Sequence, residues 1–207
     1  MLTSKTVQEF LDETASSSPA PGGGSVSALA AALGTSLTSM VCRLTVGKKK
    51  YADVQQEMES ALKTSDEIRA QFTALIDEDT AAFKKVMAAY ALPKETAEQQ
   101  SKRKSAVQDA TKAATLVPLK LMQLCEQAAG LSKIVAEKGN KNSASDAGVS
   151  ALMLEAACGG AGLNVRTNLA GLDDADFVQE TKKKCEEILK RVSTVCQSTL
   201  EMVEKNL

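Results

Sequence analysis

Apolar residues recur at every third or fourth position along most of this chain, which is the spacing of one face of a helix. The pattern is most regular from Tyr51 to Tyr90, where two interleaved seven-residue series are almost wholly apolar. They are Tyr51, Met58, Ser65, Phe72, Asp79 and Val86, and Val54, Ala61, Ile68, Leu75 and Ala82. Such series are typical of the seam of a helical bundle, so we predict one helix of about 40 residues here.

Five further segments have helical patterns and are separated by turn residues. We predict helices over 5–16, from about 25 to 45, from about 95 to 138, from 146 onwards, and from the acidic cluster at 173–176 to the C-terminus. Gly139 is expected to end its helix as a left-handed cap, and Pro118 is expected to kink the helix that contains it. The sequence shows no β-strand pattern. It therefore predicts an all-α, up-and-down bundle of about six helices, folded as a single domain over residues 1–207.

The segment from Ser25 to Cys42 carries no charged residue, which raises the question of a membrane span. Six Ser and Thr residues dilute its apolar character, and Gly34 lies in its middle. We interpret it as a central helix buried on nearly every side, in which small residues let the neighbouring helices approach closely. A membrane location is therefore not expected.

The charge balance, the cysteines and the lack of histidine limit what kind of function the chain can have. The net charge is −1, from 25 basic and 26 acidic residues, so the chain has no nucleic-acid footprint. The five cysteines are scattered and lack Cys-x-x-Cys spacing, which favours buried free thiols in a reducing cytoplasm. There is no histidine, so histidine-ligated metals are excluded and we expect no metal site. Acid–base chemistry must come from Asp, Glu, Lys, Tyr or Cys, usually with a perturbed pKa.

A glycine-rich loop precedes the uncharged segment and is the first candidate site. Its candidate ligand-binding residues are Pro21, Gly22, Gly23, Gly24 and Ser25. Three successive glycines allow close backbone approach, and Ser25 or Ser27 can cap the helix that follows. A helix N-terminus beneath such a loop suits an anion or a polar heterocycle. A simple turn into a buried helix would have the same sequence, and the loop lacks the Gly-Lys-Ser of a Walker motif.

Asp79 is the second candidate, because its series places it on the apolar face between Phe72 and Val86. Burying a carboxylate costs several kcal/mol unless it is paired or its pKa rises. Such a residue is either part of a structural pair or a functional acid or base.

Two further groups of polar residues stand near predicted helix ends. Lys48, Lys49 and Lys50 follow Gly47, and they either form a solvated turn or bind a polyanionic ligand tail. Asn164 and Asn168 lie one turn apart on one helix face, where buried amides would need partners or a polar ligand.

These motifs, taken together and in order, resemble the cyclodeaminase domain of the formiminotransferase-cyclodeaminase family. The matching stretches are Ser18–Ser27, Leu44–Lys48, Asp79–Phe83, Leu92–Lys94, Gly139–Asn140, Ser145–Asp146 and Asn164–Asn168. The resemblance implies an all-helical homodimer, a tetrahydrofolate substrate that is possibly polyglutamylated, and no cofactor beyond that folate. The formiminotransferase domain of the bifunctional enzyme has no counterpart here, so a separate formiminotransferase would have to load the substrate.

The resemblance also implies a reaction, to which we assign residues. Folate N10 would attack the formimino carbon on N5, and ammonia would leave as 5,10-methenyltetrahydrofolate forms. Asp79 would move the protons, with Asp146 as the second candidate and Lys94 as an acid or as a charge that tunes Asp79. Asn140, Asn164 and Asn168 would hydrogen-bond the pterin edge, and Lys48 to Lys50 would bind the glutamate tail.

Two alternatives remain open from sequence. One is a methenyltetrahydrofolate cyclohydrolase, which opens the same ring with water to give 10-formyltetrahydrofolate. The other is a non-enzymatic helical adaptor, although its exposed faces would need larger apolar patches than these Lys- and Glu-rich surfaces suggest.

Overall fold

The computed structural model describes residues 1–205, and that part of the chain is an all-helical bundle without a strand. Its six α-helices are α1 (Val7–Thr14), α2 (Gly23–Thr45), α3 (Gln55–Tyr90), α4 (Ala97–Lys138), α5 (Ala144–Leu169) and α6 (Ala175–Glu204). Short 3-10 turns cover Leu2–Ser4, Lys49–Val54 and Lys141–Ser143. The predicted all-helical class and number of helices are confirmed. The domain predicted over 1–207 extends two residues beyond the described part.

Helix α2 is the centre of the bundle and packs against both α3 and α5. Its small residues permit this, since Gly34 lies so close to α5 that an added Cβ would be 3.1 Å from the Ser150 carbonyl oxygen. Hydroxyl pairs join the helices at the same level: Thr38 bonds Ser150 at 2.8 Å, and Ser39 bonds Ser65 at 2.7 Å. The predicted central helix with close neighbours is therefore observed.

Helix α3 buries the members of the two predicted series from Met58 to Leu75, and it leaves Asp79, Ala82 and Val86 half-buried. Met58, Phe72 and Leu75 are fully buried, and Ile68 nearly so. Together with apolar residues of α2, α4, α5 and α6 they form the core. The buried area explains why a helix this long stays regular, because helix stability in proteins comes mainly from packing of the apolar face.

Local hydrogen bonds define where several helices begin. Thr6 and Thr96 each form a capping box, with Glu9 and Gln99 respectively. Asp174 caps α6 by accepting from the Phe177 N–H at 3.0 Å. Helix α2 differs, because its N-cap is Gly22 and has no side chain to accept these bonds.

Several predicted details are wrong. The predicted caps Ser25 and Ser27 lie inside α2, which begins two residues before Ser25. Gly139 has φ −73° and ψ −176°, an extended conformation, so it is not a left-handed cap. The glycine is required by space instead, since an added Cβ would overlap the Val135 carbonyl oxygen and lie 2.8 Å from Cγ1 of Val41.

The remaining differences concern boundaries. Helix α1 is shorter than the predicted 5–16, and α3 begins at Gln55 because the residues before it form a 3-10 turn. Helix α5 begins at Ala144, two residues before its predicted start, and α4 continues through Pro118 as one element.

Two helices, α2 and the segment Lys141–Leu169, are long and apolar enough to cross a membrane by length and composition. Within the bundle, 61% and 50% of the two apolar windows are buried, as expected for core helices.

We predict that Gly139→Ala destabilises the protein by about 1–3 kcal/mol, because the new methyl group has no room against Val135 and Val41. Gly130→Ala is the matched control, since no atom outside its own helix lies within 4 Å of its Cβ position. That control should stabilise α4 by about 0.5–1 kcal/mol. Urea unfolding of both variants checks this, and equal effects would contradict it.

Candidate active site

A cavity of about 370 Å³ lies where the N-terminus of α2 meets the second half of α3 and the C-terminal part of α5. Helix α3 contributes its apolar wall, and the glycine loop and α5 contribute its polar side. The lining residues are Pro19, Ala20, Gly22, Gly23, Gly24, Asp79, Thr80, Ala82, Phe83, Val86, Met87, Tyr90, Ala114, Asn164, Thr167 and Asn168. This combination of an apolar wall and a small number of polar groups is typical of a small-molecule site.

Asp79 occupies the place that a capping side chain would take at the N-terminus of α2. Its Oδ2 accepts from Oγ of Ser25 at 3.0 Å, and its carboxylate also accepts from the Ser25 backbone N–H. The approach requires a glycine at position 24, because a Cβ there would overlap the carboxylate and lie 2.5 Å from its Cγ. A residue from α3 therefore caps α2, and the same residue lines the cavity.

Burial raises the pKa of Asp79 above its ordinary value of 3.8, and the two hydrogen bonds from Ser25 oppose this without cancelling it. The Ser25 hydroxyl has one proton but two acceptors, since the Ile76 carbonyl oxygen is 2.8 Å away. Thr80 Oγ1 is also 3.2 Å from the same hydroxyl. Ser25 can donate to the carbonyl when Asp79 is protonated and to Asp79 when it is ionised. Both protonation states can therefore be accommodated without moving the backbone.

Asn164 and Asn168 lie on the cavity side of α5, half-buried. The Asn164 side-chain N–H donates to the Gly160 carbonyl oxygen at 2.9 Å, which orients the amide beside Gly23. The structure thus brings together Asp79, the loop residues Gly22 to Gly24, and the two asparagines. Pro21 and Ser25 are buried next to the cavity without lining it.

The other predicted site residues lie elsewhere in the chain. Lys48, Lys49 and Asn140 are at the far end of α2, about 33 Å from Gly23 at 1.5 Å per residue. Asp146 is in the first turn of α5, about 27 Å from Asn164 by the same rise.

Asn140 has a structural role at that far end. Its side-chain N–H donates to the Leu44 carbonyl oxygen at 3.1 Å, and its backbone N–H donates to Oγ1 of Thr45 at 2.9 Å. The Tyr51 hydroxyl donates to its Oδ1 at 3.4 Å. The prediction that Asn140 shares one pterin edge with Asn164 is therefore wrong within a single chain.

Lys94 is exposed in the turn between α3 and α4 and does not line the cavity. Within this chain it is therefore not placed to act on a ligand beside Asp79, and neither is Asp146. Asp79 is the one predicted acid–base residue that the structure puts on the cavity wall.

Sequence reasoning missed the apolar wall of the cavity. Phe83, Val86 and Tyr90 follow Asp79 at intervals of four, seven and eleven residues, which places all four on one face of α3. The seven-residue series assigns Val86 to the seam of the bundle, and it does not include Phe83 or Tyr90. Thr80 and Thr167 were also missed as site residues, although they lie within the stretches Asp79–Phe83 and Asn164–Asn168 that carry the family resemblance.

A half-buried carboxylate with a raised pKa on the wall of a half-apolar cavity is typical of a site for acid–base chemistry on a small molecule. Comparison with known proteins identifies which kind. A family model described as Formiminotransferase-cyclodeaminase matches residues 6–187, and the chain belongs to this family. It is a folate one-carbon enzyme of the cyclodeaminase or cyclohydrolase type.

Three relatives illustrate the match. Methenyltetrahydrofolate cyclohydrolase of Methylorubrum extorquens is 42% identical over 207 residues, covering 100% of both chains. Formimidoyltransferase-cyclodeaminase of Rattus norvegicus is 34% identical over 203 residues, and the chain spans 38% of its length. The crystal structure of formiminotetrahydrofolate cyclodeaminase from Thermotoga maritima superposes with a TM-score of 0.90 at 31% identity, covering 99% of this chain and 98% of that one.

We predict that Gly24→Ala lowers kcat/KM by about 100-fold, because the methyl group displaces the Asp79 carboxylate and small misplacements of a catalytic group are costly. Gly130→Ala on α4 is the matched control and should keep full activity. Steady-state kinetics on a folate substrate, with circular dichroism to confirm folding, checks the prediction. A fully active Gly24→Ala would show that Asp79 need not hold its observed position.

Proposed function

We propose that the cavity beside Asp79 binds the methenyl bridge of 5,10-methenyltetrahydrofolate, which the protein hydrolyses to 10-formyltetrahydrofolate. The observation that carries this proposal is the Asp79 carboxylate, half-buried and with a raised pKa, on the same wall of the cavity as the apolar side chains of α3. The relative that is 42% identical over the full length supports hydrolysis as the main reaction.

Asp79 would act as a general base in this reaction. Its carboxylate takes a proton from water as the water oxygen bonds to the methenyl carbon, which gives a neutral bridged carbinolamine. The bond from that carbon to N5 then breaks, Asp79 returns the proton to N5, and the hydroxyl proton leaves to solvent as the formyl C=O forms. A base with a raised pKa suits both transfers, because it can give back at N5 the proton it took from water.

The remaining lining residues would bind and orient the folate. The methenyl bridge is cationic, so the ionised Asp79 also stabilises its binding electrostatically. Phe83, Val86 and Met87 offer an apolar surface for a flat ring, and Asn164 and Asn168 offer amides for its polar edge. Gly23 and Gly24 let the ring approach the backbone of α2.

Cyclodeamination of 5-formiminotetrahydrofolate is the second candidate, supported by the likeness to the Thermotoga maritima structure. Folate N10 would attack the formimino carbon, Asp79 would take the N10 proton, and the nitrogen would leave as ammonia after protonation. This candidate requires a formiminotransferase activity to supply the substrate. Neither reaction requires a cofactor beyond the folate itself.

We further propose that the protein works as a cytoplasmic homodimer. All five cysteines are buried and free, which suits a reducing compartment.

A paired assay tests the function. Loss of the methenyl absorbance with formation of 10-formyltetrahydrofolate, faster than in buffer and saturable in substrate, is expected. Ammonia release from 5-formiminotetrahydrofolate measured beside it would instead favour the second candidate. Absence of both activities from folded protein would contradict the proposed function.

We predict that kcat/KM rises with pH through an acid limb whose midpoint lies above 3.8, because Asp79 must be ionised to act as a base and its pKa is raised. Asp79→Asn should lower kcat by about 10²–10⁴-fold and remove that limb. A variant that keeps the wild-type rate and limb would exclude Asp79 from the chemistry.

The same shift has a consequence for stability. The pKa of Asp79 is raised in the folded state, so protonated Asp79 stabilises the fold. This contribution to the free energy of unfolding is complete below pH 3.8 and is lost as the pH rises through the pKa of Asp79 in the folded state. Asp79→Asn should therefore unfold at neutral pH at a temperature no lower than that of the wild type, which separates lost catalysis from lost folding.

A further inference from the structure

Thr80 lies in the wall that separates the cavity beside Asp79 from a second cavity. The second cavity has a volume of about 320 Å³ and lies between the N-terminal residues and α3. The two cavities share four lining residues, which are Pro19, Ala20, Thr80 and Phe83. Among these four, Thr80 is the one whose side chain can both donate and accept a hydrogen bond. It is therefore the polar connection between the two cavities.

The second cavity is polar and reaches the protein surface. Its lining includes the exposed side chains of Lys5 and Lys84, together with the carboxylates of Glu13 and Asp77. Nζ of Lys5 is 3.0 Å from Oε2 of Glu13. Charged side chains hold water in a cavity of this kind. A proton that reached the Thr80 hydroxyl from the other cavity would therefore find water on this side.

A chain of three oxygen atoms connects the Asp79 carboxylate to the Thr80 hydroxyl. Oδ2 of Asp79 is 3.0 Å from Oγ of Ser25, and the same Oγ is 3.2 Å from Oγ1 of Thr80. Ser25 is fully buried and lines neither cavity. Either hydroxyl of the Ser25–Thr80 pair can be the donor. The 3.2 Å contact is longer than a strong O–H···O bond, and such contacts in ligand-free sites often tighten when substrate binds.

The proposed hydrolysis needs a route for one proton out of the site. A cationic methenyl bridge and one water molecule give a neutral formyl compound, so each turnover releases one proton. The backbone of α2 covers one side of Asp79 so closely that Gly24 has no room for a Cβ. A folate bound in the cavity would cover the side of the carboxylate that faces the substrate. The Ser25 hydroxyl is the remaining polar contact of this carboxylate, and it leads away from the substrate.

We propose that Ser25 and Thr80 form a proton relay that carries this proton from Asp79 to water in the second cavity. The inference rests on the hydrolysis proposed above. Once Asp79 has returned its first proton to N5, it takes the proton of the carbinolamine hydroxyl as the formyl C=O forms. Asp79 gives that proton to Oγ of Ser25, Ser25 gives its own proton to Oγ1 of Thr80, and Thr80 gives its own proton to water. Each hydroxyl keeps one proton, and one proton leaves.

The Ile76 carbonyl oxygen allows the Ser25 hydroxyl to change direction in each turnover. It is 2.8 Å from Oγ of Ser25, the shortest of the three contacts of that hydroxyl. A hydroxyl that could donate to Asp79 alone would favour the ionised carboxylate and would not accept its proton. Because the carbonyl oxygen is a second acceptor, Ser25 can turn its proton away and present a lone pair to protonated Asp79.

Stopped-flow measurement of proton release, beside the loss of methenyl absorbance, tests the relay. In the wild type, a pH indicator in weak buffer should report the proton in step with the absorbance change. Thr80→Val keeps the shape of the side chain and removes its hydroxyl. This variant should show a burst of absorbance loss of one methenyl group per active site, and proton release should lag behind the burst. Its steady-state kcat should fall by about 10-fold, because Asp79 stays protonated after the first turnover.

Three further variants separate a relay from a role in packing. Thr80→Ser keeps a hydroxyl and should restore proton release in step with the absorbance change. Thr64→Val is the matched control on α3, since the Thr64 hydroxyl donates to the Ser60 carbonyl oxygen at 3.1 Å and lines neither cavity. It should behave as the wild type does. Ser25→Ala should show the same lag, and adding Thr80→Val to it should slow kcat no further, because the two hydroxyls act in series.

The outcomes distinguish the relay from the function on which it rests. Wild-type kcat in Thr80→Val would overturn the relay, and so would equal slowing of absorbance loss and proton release. Circular dichroism checks the folding of each variant, and Ser25→Ala alone decides the question if Thr80→Val does not fold. Wild-type protein that removes no methenyl absorbance would contradict the proposed function. Active wild type with an unaffected Thr80→Val would contradict the relay alone.

Discussion

The contact between the Asp79 carboxylate and the N-terminus of α2 is the constraint on which the site depends. It requires Gly24, because no other residue leaves room for the carboxylate against the helix backbone. It also requires α3 to lie beside α2, which the buried series of α3 ensures. Helix α2 has no capping side chain of its own, and Asp79 of α3 caps it instead. Burial raises the pKa of the same side chain, so one residue both caps the helix and is the candidate acid–base group.

The close packing of α3 and α5 against α2 also limits which residues α2 can contain. A helix that neighbours approach this closely must be made of small and apolar residues, as at Gly34 and Thr38. The same composition leaves its outer face apolar at Leu33, where no helix of the described chain covers it. A helix suited to the centre of a bundle and an exposed apolar outer face therefore follow from one choice of residues.

Much of the fold could be predicted from the sequence, because helical periodicity over long segments such as Gln55–Tyr90 is a strong signal. Asp79 was predicted for the same reason, as a carboxylate on an apolar face. The cap at Gly22 and the extended Gly139 were not predictable, since both depend on contacts with distant residues. The separation of Asn140 from Asn164 was missed because sequence motifs in the right order say nothing about which end of a bundle each occupies.

We propose that Asp79 is a half-buried base, held at the N-terminus of α2 and on the wall of the candidate substrate cavity. A ¹³C NMR titration of the aspartate carboxyl carbons, with the signal of Asp79 assigned from its absence in Asp79→Asn, measures this most directly. We expect a midpoint above pH 3.8 and a change in this signal when tetrahydrofolate is added. A midpoint at or below 3.8 that is indifferent to folate would contradict it.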